Sequence, residues 1–91
     1  MRSLRVRTSF KKDLKRIAKR GYELALLEIV IDLLRDDLPL LAARRDRALK
    51  GHWKGWRECH IEPDWLLIYS ATAADELLLA RTGTHADLFE T

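Results

Sequence analysis

Two histidines, two carboxylates and an arginine all lie after residue 57 of this sequence, and together they are suited to proton transfer on a phosphate ester. Glu58 and His60 are two residues apart in a segment of strand-like composition, so their side chains share one face. Asp64 follows just past a turn, and His85 comes four residues after Arg81. This set is what metal-free RNA cleavage requires. A base removes the 2′-hydroxyl proton, an acid protonates the leaving 5′-oxygen, and a cation stabilises charge on the phosphate.

Each of these residues also has an ordinary structural explanation when it is taken alone. A single histidine is more often a hydrogen-bonded surface residue than a catalyst, and an aspartate such as Asp64 suits a turn. Arg81 is equally suited to an ion pair with Asp75 or Glu76. The chain also has three tryptophans, Trp53, Trp56 and Trp65. Packing in the core and on the sheet is the more common role for such residues, and a platform for stacking RNA bases is the alternative.

A metal or cofactor site is not favoured by the spacing of possible ligands. Cys59 and His60 are neighbours, and neighbouring strand residues point to opposite faces, so they cannot bind one ion together. Cysteine pairs and histidine pairs at metal-binding spacings do not occur, and a site formed by His60, Asp64 and His85 is conceivable but has no further support. No phosphate-binding glycine motif or serine-hydrolase motif is present. We therefore expect no metal and no cofactor.

The length and composition predict one small globular domain spanning residues 1–91. The chain has a mass of 10.6 kDa, with 47% hydrophobic and 34% charged residues, which argues against disorder. No apolar run approaches the ~20 residues that a membrane helix needs, and the N-terminus does not have the pattern of a signal peptide. The single cysteine, Cys59, cannot form an internal disulfide, so we expect a cytoplasmic protein with no membrane association.

Basic residues are concentrated in two blocks, although the formal net charge is only +3. Residues 1–20 hold nine basic residues and one acidic residue, and residues 41–60 hold six and two. Clustered basic side chains bind polyanions by releasing condensed counterions, although a solvated helix face would show the same charge pattern. The candidate RNA- or ribosome-binding residues are Lys11, Lys12, Lys15, Lys19, Arg44, Arg45, Arg47 and Lys50.

Hydrophobic periodicity predicts the element order β-α-α-β-β-β. Alternation over 2–7 indicates a strand, and apolar spacing indicates a helix from Phe10 to Ala18, capped by Thr8 or Ser9, and a second over 22–35. Residues 40–53 are predicted as a connector, and residues 56–61, 65–69 and 77–81 as strands separated by turns at 62–64 and 75–76. We therefore predict an α+β sandwich: two N-terminal helices packed on one face of a small antiparallel β-sheet, with the other face open for a site.

Two C-terminal segments resemble the YafQ branch of the RelE/ParE toxin superfamily. These are Leu49-Lys-Gly-His-Trp-Lys-Gly-Trp-Arg-Glu-Cys-His-Ile-Glu-Pro-Asp-Trp-Leu-Leu-Ile-Tyr69 and Arg81-Thr-Gly-Thr-His-Ala-Asp-Leu-Phe89, and Phe10 to Arg16 and Leu38-Pro-Leu40 fit the same pattern. The resemblance covers nearly the whole chain. It implies a small cytoplasmic toxin with the same two-helix sandwich fold, which cuts mRNA in the ribosomal A site and is held inactive by a cognate antitoxin.

Residue by residue, the resemblance assigns the site to His60, Asp64, Arg81, His85 and Phe89, with Glu58 at an acidic position of the family. One position departs from the family. Where it usually has a histidine preceded by aspartate, this chain has Asp46 followed by Arg47, whose guanidinium cannot transfer a proton. Arg47 is still suited to contact phosphate, and His52 lies five residues away.

The sequence therefore predicts a ribosome-dependent mRNA endoribonuclease toxin in which His85 is the general acid and Asp64 or His60 the base. Arg81 is expected to hold the phosphate, and Phe89 to stack on a base. Two alternatives remain from the sequence alone. One is a non-enzymatic ParE-like toxin that binds DNA gyrase, and the other is a simple nucleic-acid-binding module.

Overall fold

A computed structural model of the chain describes residues 1–71 and 75–89. The strands are β1 (Ser3–Val6), β2 (Arg47–Ala48), β3 (Arg57–Glu62), β4 (Trp65–Ser70) and β5 (Glu76–Gly83). The α-helices are α1 (Thr8–Lys19), α2 (Leu24–Arg35) and α3 (His85–Phe89), and two single-turn 3-10 helices cover Ala42–Arg44 and Gly51–Trp53. No helix in the described part of the chain is long and apolar enough to cross a membrane.

The five strands form one sheet in the order β1-β5-β4-β3-β2. Strands β2 to β5 pair antiparallel, and β1 pairs with β5 in parallel. The predicted α+β architecture with both long helices on one face of the sheet is confirmed. The parallel β1–β5 pair departs from the predicted all-antiparallel sheet, because α1 and α2 carry the chain across the sheet before the β3–β4–β5 meander brings β5 back beside β1.

The main core lies between the helices and one face of the sheet. Helices α1 and α2 contribute Phe10, Ile17, Leu27, Val30 and Leu34, and the sheet contributes Cys59, Ile61, Trp65, Leu67, Tyr69, Leu77 and Leu79. The members in α2 recur every three or four residues, the two in α1 lie seven residues apart, and those in the strands recur every second residue, as the helical period of 3.6 and the strand period of 2 require. Trp65 belongs to this core, where its indole nitrogen donates a hydrogen bond to the hydroxyl of Thr82.

The start of α1 differs from the sequence prediction. The helix begins at Thr8 with Arg7 in the N-cap position and without a side-chain cap. The hydroxyl of Ser9 donates instead to the carbonyl of Ala80, so Ser9 joins α1 to β5. The second helix begins at Leu24, two residues later than predicted, because the carboxylate of Glu23 accepts the backbone N–H of Ala25 as its cap.

The opposite face of the sheet is partly covered, and the prediction of an open face is wrong for that part. Residues 40–53 form β2 and both 3-10 turns, and residues 85–89 form α3, a helix that the periodicity does not predict. Leu49, Trp53 and Leu88 from these segments, together with Trp56, pack on Leu66, Ile68 and Ala80. Trp53 and Trp56 therefore take part in packing, which is the role that the sequence analysis favoured.

The predicted turn at 75–76 is only partly correct. Asp75 lies in a turn, Glu76 begins β5, and residues 72–74 lie outside the described part of the chain.

Candidate active site

Two imidazole rings lie close together on the uncovered part of the sheet face opposite the main core. His60 lies on β3 and His85 is the first residue of α3, and their ring centroids are 5.7 Å apart with planes inclined by 53°. We call these two residues the imidazole pair. A separation of this size allows both rings to contact one small group from different sides, which an acid and a base acting on a single phosphate require.

Asp64 fixes the orientation of His85. Its Oδ1 lies 2.7 Å from Nδ1 of the His85 ring and also accepts the His85 backbone N–H at 3.0 Å. The hydrogen bond from the backbone N–H of His85 makes the larger contribution and the bond to its ring the smaller one, and both lower the pKa of the Asp64 carboxyl. The group is therefore ionised at neutral pH. A carboxylate only accepts hydrogen bonds, so Nδ1 of His85 carries a hydrogen and Nε2 is the atom that remains for substrate.

Pro63 fixes the ring of His60 in the same way. Nδ1 of His60 lies 3.1 Å from the carbonyl oxygen of Pro63, which can only accept. The hydrogen therefore sits on Nδ1, and Nε2 of a neutral His60 has a lone pair available to take a proton. One tight β3–β4 turn thus supplies the anchors of both rings, Pro63 for His60 and Asp64 for His85.

Glu58 is buried on the same face of β3, with 1% of its surface exposed. Its Oε2 accepts a hydrogen bond from Nε of Arg47 at 2.7 Å, and the two residues are paired across β2 and β3. Arg47 itself is largely exposed, so the buried carboxylate holds a guanidinium whose other nitrogens face solvent. This geometry suits Glu58 to orienting Arg47 and suits Arg47 to binding phosphate.

Arg81 is held in place by Asp13 of α1, a residue that sequence reasoning missed. Its Nε and Nη2 donate to the carboxylate of Asp13 at 2.6 and 3.1 Å, and these bonds raise the pKa of Arg81. Asp13 also accepts the backbone N–H of Thr82. The predicted alternatives, Asp75 and Glu76, are not its partners among the described residues. Asp13 occupies an apolar-stripe position of α1 between Phe10 and Ile17, and that misplaced charge was the available signal.

The short helix α3 is fixed at its N-terminus by a capping box. The backbone N–H of Thr84 donates to the carboxylate of Asp87, and the hydroxyl of Thr84 accepts the N–H of Asp87. Arg20 on α1 adds two hydrogen bonds to Asp87 at 2.7 and 3.1 Å. Gly83 precedes the box with φ of +153°, where a side chain would meet Asp87 at 2.8 Å. Arg20 and Gly83 thus determine where α3 presents His85.

A cavity of about 490 Å³ adjoins His85. Phe89 lies four residues along α3, with its ring centroid 6.4 Å from that of His85 and 37% of the residue exposed. We call this space the Phe89 cavity, and its lining consists of Arg47, Ala48, Leu49, Lys50, Glu58, His85 and Phe89.

The predicted site residues therefore divide into four groups. Asp64, Glu58 and Phe89 lie with the imidazole pair around one cleft that also holds Arg47 and Lys50. Arg81 is bonded to Asp13 and is not among the residues that line the Phe89 cavity. The four lysines of α1 are exposed on that helix. Arg44 and Arg45 line a different cavity beside His60.

The site has the features of an acid–base centre. Among residues 1–71 and 75–89, no three or more histidine, cysteine or acidic side chains are placed to hold a metal ion. Cys59, on the opposite face of β3 from His60, is fully buried, and burial raises the pKa of its thiol to about 12, so it is no nucleophile at neutral pH. Two oriented imidazoles with basic side chains nearby are suited to proton transfer in this cleft.

The fold and the cleft define a small α+β domain that carries an imidazole pair beside basic side chains. Residues 2–90 match the family described as "Bacterial toxin of type II toxin-antitoxin system, YafQ". The chain belongs to this family of YafQ toxins, as the C-terminal motifs implied.

Relatives of known name and structure agree with this assignment. The chain is 48% identical over 82 residues to the mRNA interferase toxin YafQ of Escherichia coli strain K12, covering 88% of this chain and 87% of that protein. A copper-bound mutant toxin from Helicobacter pylori has a TM-score of 0.92 at 44% identity, covering 98% of this chain and 100% of that one. YafQ in the E. coli DinJ–YafQ complex has a TM-score of 0.88 at 42% identity, covering 98% and 99%.

Proposed function

We propose that this YafQ-family toxin is an endoribonuclease that cleaves mRNA by metal-independent acid–base catalysis. The observation that carries the proposal is the imidazole pair, with centroids 5.7 Å apart and each Nδ1 already bonded to a fixed acceptor. The E. coli relative named an mRNA interferase toxin supports the substrate class.

His60 acts as the base and His85 as the acid. Nε2 of neutral His60 takes the proton of the 2′-hydroxyl, whose oxygen attacks the adjacent phosphorus. Nε2 of protonated His85 donates its proton to the leaving 5′-oxygen. The bond from phosphorus to the 5′-oxygen breaks, and the products carry a 2′,3′-cyclic phosphate and a 5′-hydroxyl. Asp64, the other candidate base, acts through His85, because its Oδ1 is occupied by two hydrogen bonds from that residue.

Charge on the phosphate is stabilised by arginine. Arg47, oriented by buried Glu58, borders the Phe89 cavity and takes the position where the family usually has histidine. Arg81 contributes through Nη1, since Nε and Nη2 are bonded to Asp13. Phe89, exposed at the edge of its cavity, stacks on a base of the substrate and fixes its orientation.

The toxin acts on ribosome-bound mRNA in the cytoplasm, and its exposed basic residues contact ribosomal RNA. Lys11, Lys12, Lys15 and Lys19 are exposed along α1, and none has an ion pair among the described residues. Arg16 and Arg20 on the same helix differ, because both bind Asp87. A row of solvated lysines retains its full charge for phosphate contacts.

An antitoxin protein neutralises this toxin. Crystal structures of the related E. coli YafQ contain DinJ in a toxin–antitoxin complex. On this chain the antitoxin buries apolar surface and presents acidic residues to the basic face, since opposite charge accelerates association.

Induced expression followed by primer extension on a reporter mRNA tests this function. We expect growth arrest and discrete mRNA cuts with the wild-type chain, and uncut mRNA with His85→Ala. Growth arrest with intact mRNA and inhibited supercoiling by purified gyrase would instead indicate the gyrase-binding alternative. Normal growth would indicate a nucleic-acid-binding module without toxicity.

A further inference from the structure

A second cavity, of about 540 Å³, borders His60. It lies between the 3-10 turn Ala42–Arg44 and the C-terminal end of β3, and we call it the Arg44 cavity. His60 lines this cavity and His85 lines the Phe89 cavity, so the imidazole pair stands between two spaces. Each has the volume of a small-molecule site.

The Arg44 cavity has apolar walls and two guanidinium groups. Leu41 and Pro63 are among its apolar lining residues, and Arg44 and Arg45 supply positive charge against one acidic residue, Glu62. Arg44 is half-buried because its Nη1 donates to the backbone carbonyl of Ile61, which fixes the side chain along β3. Arg45 ends the turn in a left-handed conformation with φ of +50°, and it remains exposed. Apolar walls beside one fixed and one exposed guanidinium group suit a nucleotide, whose base is flat and whose phosphate is anionic.

The polarity of the RNA strand follows from the roles of the two imidazoles. The base must lie within hydrogen-bond reach of the 2′-hydroxyl, which belongs to the nucleotide upstream of the cut. The acid must reach the 5′-oxygen, which belongs to the nucleotide downstream. The upstream nucleotide therefore lies on the side of His60, and the downstream nucleotide on the side of His85.

We propose that the Arg44 cavity is the subsite for the nucleotide that supplies the attacking 2′-hydroxyl, and that the Phe89 cavity holds the nucleotide that leaves. Arg44 and Arg45 bind the phosphate on the 5′ side of the upstream nucleotide, and the apolar walls contact its base. This inference rests on the proposed function, because it takes His60 as base and His85 as acid.

The test combines cavity variants with substrates that lack a single base. Ala43 is an exposed lining residue of the Arg44 cavity, so Ala43→Trp fills the cavity without changing charge. Ala42→Trp, on the same turn but outside the lining, is the matched control. Ribosomes are programmed with mRNA that is intact, abasic at the upstream nucleotide or abasic at the downstream nucleotide. An abasic site keeps the ribose 2′-hydroxyl and the phosphate, so the chemical step stays possible.

We expect the upstream abasic site to lower the wild-type kcat/KM by about 5- to 150-fold, the usual loss for one stacked base. Ala43→Trp should lower cleavage of intact mRNA by a similar factor and add little further loss on the upstream abasic substrate. The losses from Ala43→Trp and from the downstream abasic site should be independent, so the two fold-changes in kcat/KM should multiply when they are combined. Phe89→Ala should show the reverse pattern, non-additive only with the downstream abasic site.

Three results would overturn the assignment of the subsite. The first is that Ala43→Trp cleaves intact mRNA as fast as Ala42→Trp. The second is that the losses from Ala43→Trp and from the upstream abasic site are independent, and the third is that Ala43→Trp is coupled to the downstream abasic site instead. Failure of the proposed function gives a different result, since the wild-type protein would then leave intact mRNA uncut. Thermal denaturation of both tryptophan variants separates loss of folding from loss of binding.

Discussion

The guanidinium of Arg81 on β5 forms a two-point hydrogen bond with the carboxylate of Asp13 on α1, with distances of 2.6 and 3.1 Å. Asp13 is only 1% exposed, and the backbone N–H of Thr82 is its third donor. A two-point bond fixes the plane of a guanidinium as well as its position. Helix α1 therefore holds the arginine that we propose to contact the phosphate.

Replacing Asp13 should affect cleavage and stability together. Asp13→Asn keeps the side-chain shape but removes the charge, so we expect at least tenfold slower cleavage and a loss of about 1–3 kcal/mol in the free energy of unfolding. Single-turnover cleavage and urea unfolding measure the two effects. Arg16→Gln is the matched control, because it removes the 3.5 Å ion pairs that Arg16 forms with Asp13 and Asp87 and leaves the bonds between Asp13 and Arg81 intact. A variant that is less stable but cleaves normally when folded would show that Asp13 does not position Arg81 for catalysis.

Replacing Asp64 should release the ring of His85. In Asp64→Asn the carboxylate no longer stabilises the charged imidazolium, and the amide nitrogen can donate to Nδ1 instead. The ring is then neutral, with its one hydrogen on Nε2, and a neutral imidazole is a far weaker acid than an imidazolium. We expect a fall of tenfold or more in the cleavage rate, in the direction known for other histidines that lose their carboxylate partner. Asp36→Asn, an exposed aspartate at the end of α2, serves as control. Cleavage by Asp64→Asn at the wild-type rate would contradict the role given to Asp64.

Acid should remove the stabilisation that Asp87 provides. The side chain of Arg20 and the bonds with Thr84 hold the pKa of Asp87 well below its usual range, so the folded state favours the ionised form. This stabilisation is complete above the unfolded pKa of about 4 and is lost as the pH falls towards the folded value. Urea unfolding should show Asp87→Asn less stable than wild type from about pH 5 to 8, with the two converging below about pH 4. A difference that stays constant or grows in acid would contradict this.

Replacing the exposed lysines of α1 should weaken association with ribosomes. For every phosphate group that the helix no longer neutralises, the slope of log affinity against log salt concentration should fall by about 0.7–0.9. The variant carries glutamine at Lys11, Lys12, Lys15 and Lys19, and arginine at the same four positions is the charge-preserving control. Co-sedimentation with ribosomes over a salt series measures the slope. An unchanged slope in the glutamine variant would show that α1 does not face ribosomal RNA.

Local patterns were sufficient to predict the elements that form the framework. The apolar period of α1, the strand composition of 65–69 and the turn at Pro63 all describe interactions within a few residues of one another. The resemblance of the C-terminal motifs also led to the family that the comparison identifies. The fold class and the toxin family were therefore within reach of the sequence.

The arrangement of the site depends on contacts that local patterns do not contain. α3 is placed by Arg20, 67 residues from Asp87 in sequence, and Arg81 is placed by Asp13, 68 residues away. The 40–53 segment has little periodicity, so neither β2 nor the Arg44 cavity was predicted. Only Asp13 had a local signal, as a charged residue within the apolar stripe of α1.

Cleavage of an RNA with a 5′-bridging sulfur at the scissile phosphate tests the assignment of His85 as general acid most directly. A thiolate leaves without protonation, so this substrate bypasses the acid but still needs the base. We predict that His85→Ala loses about 10²- to 10⁴-fold on the normal RNA and regains nearly the wild-type rate on the sulfur substrate. His60→Ala should be slow on both, and wild-type toxin that is treated with a chelator, which is then removed before ribosomes are added, should cleave at the untreated rate. An equal defect of His85→Ala on the two substrates, or loss of cleavage by the chelator-treated toxin, would contradict the mechanism.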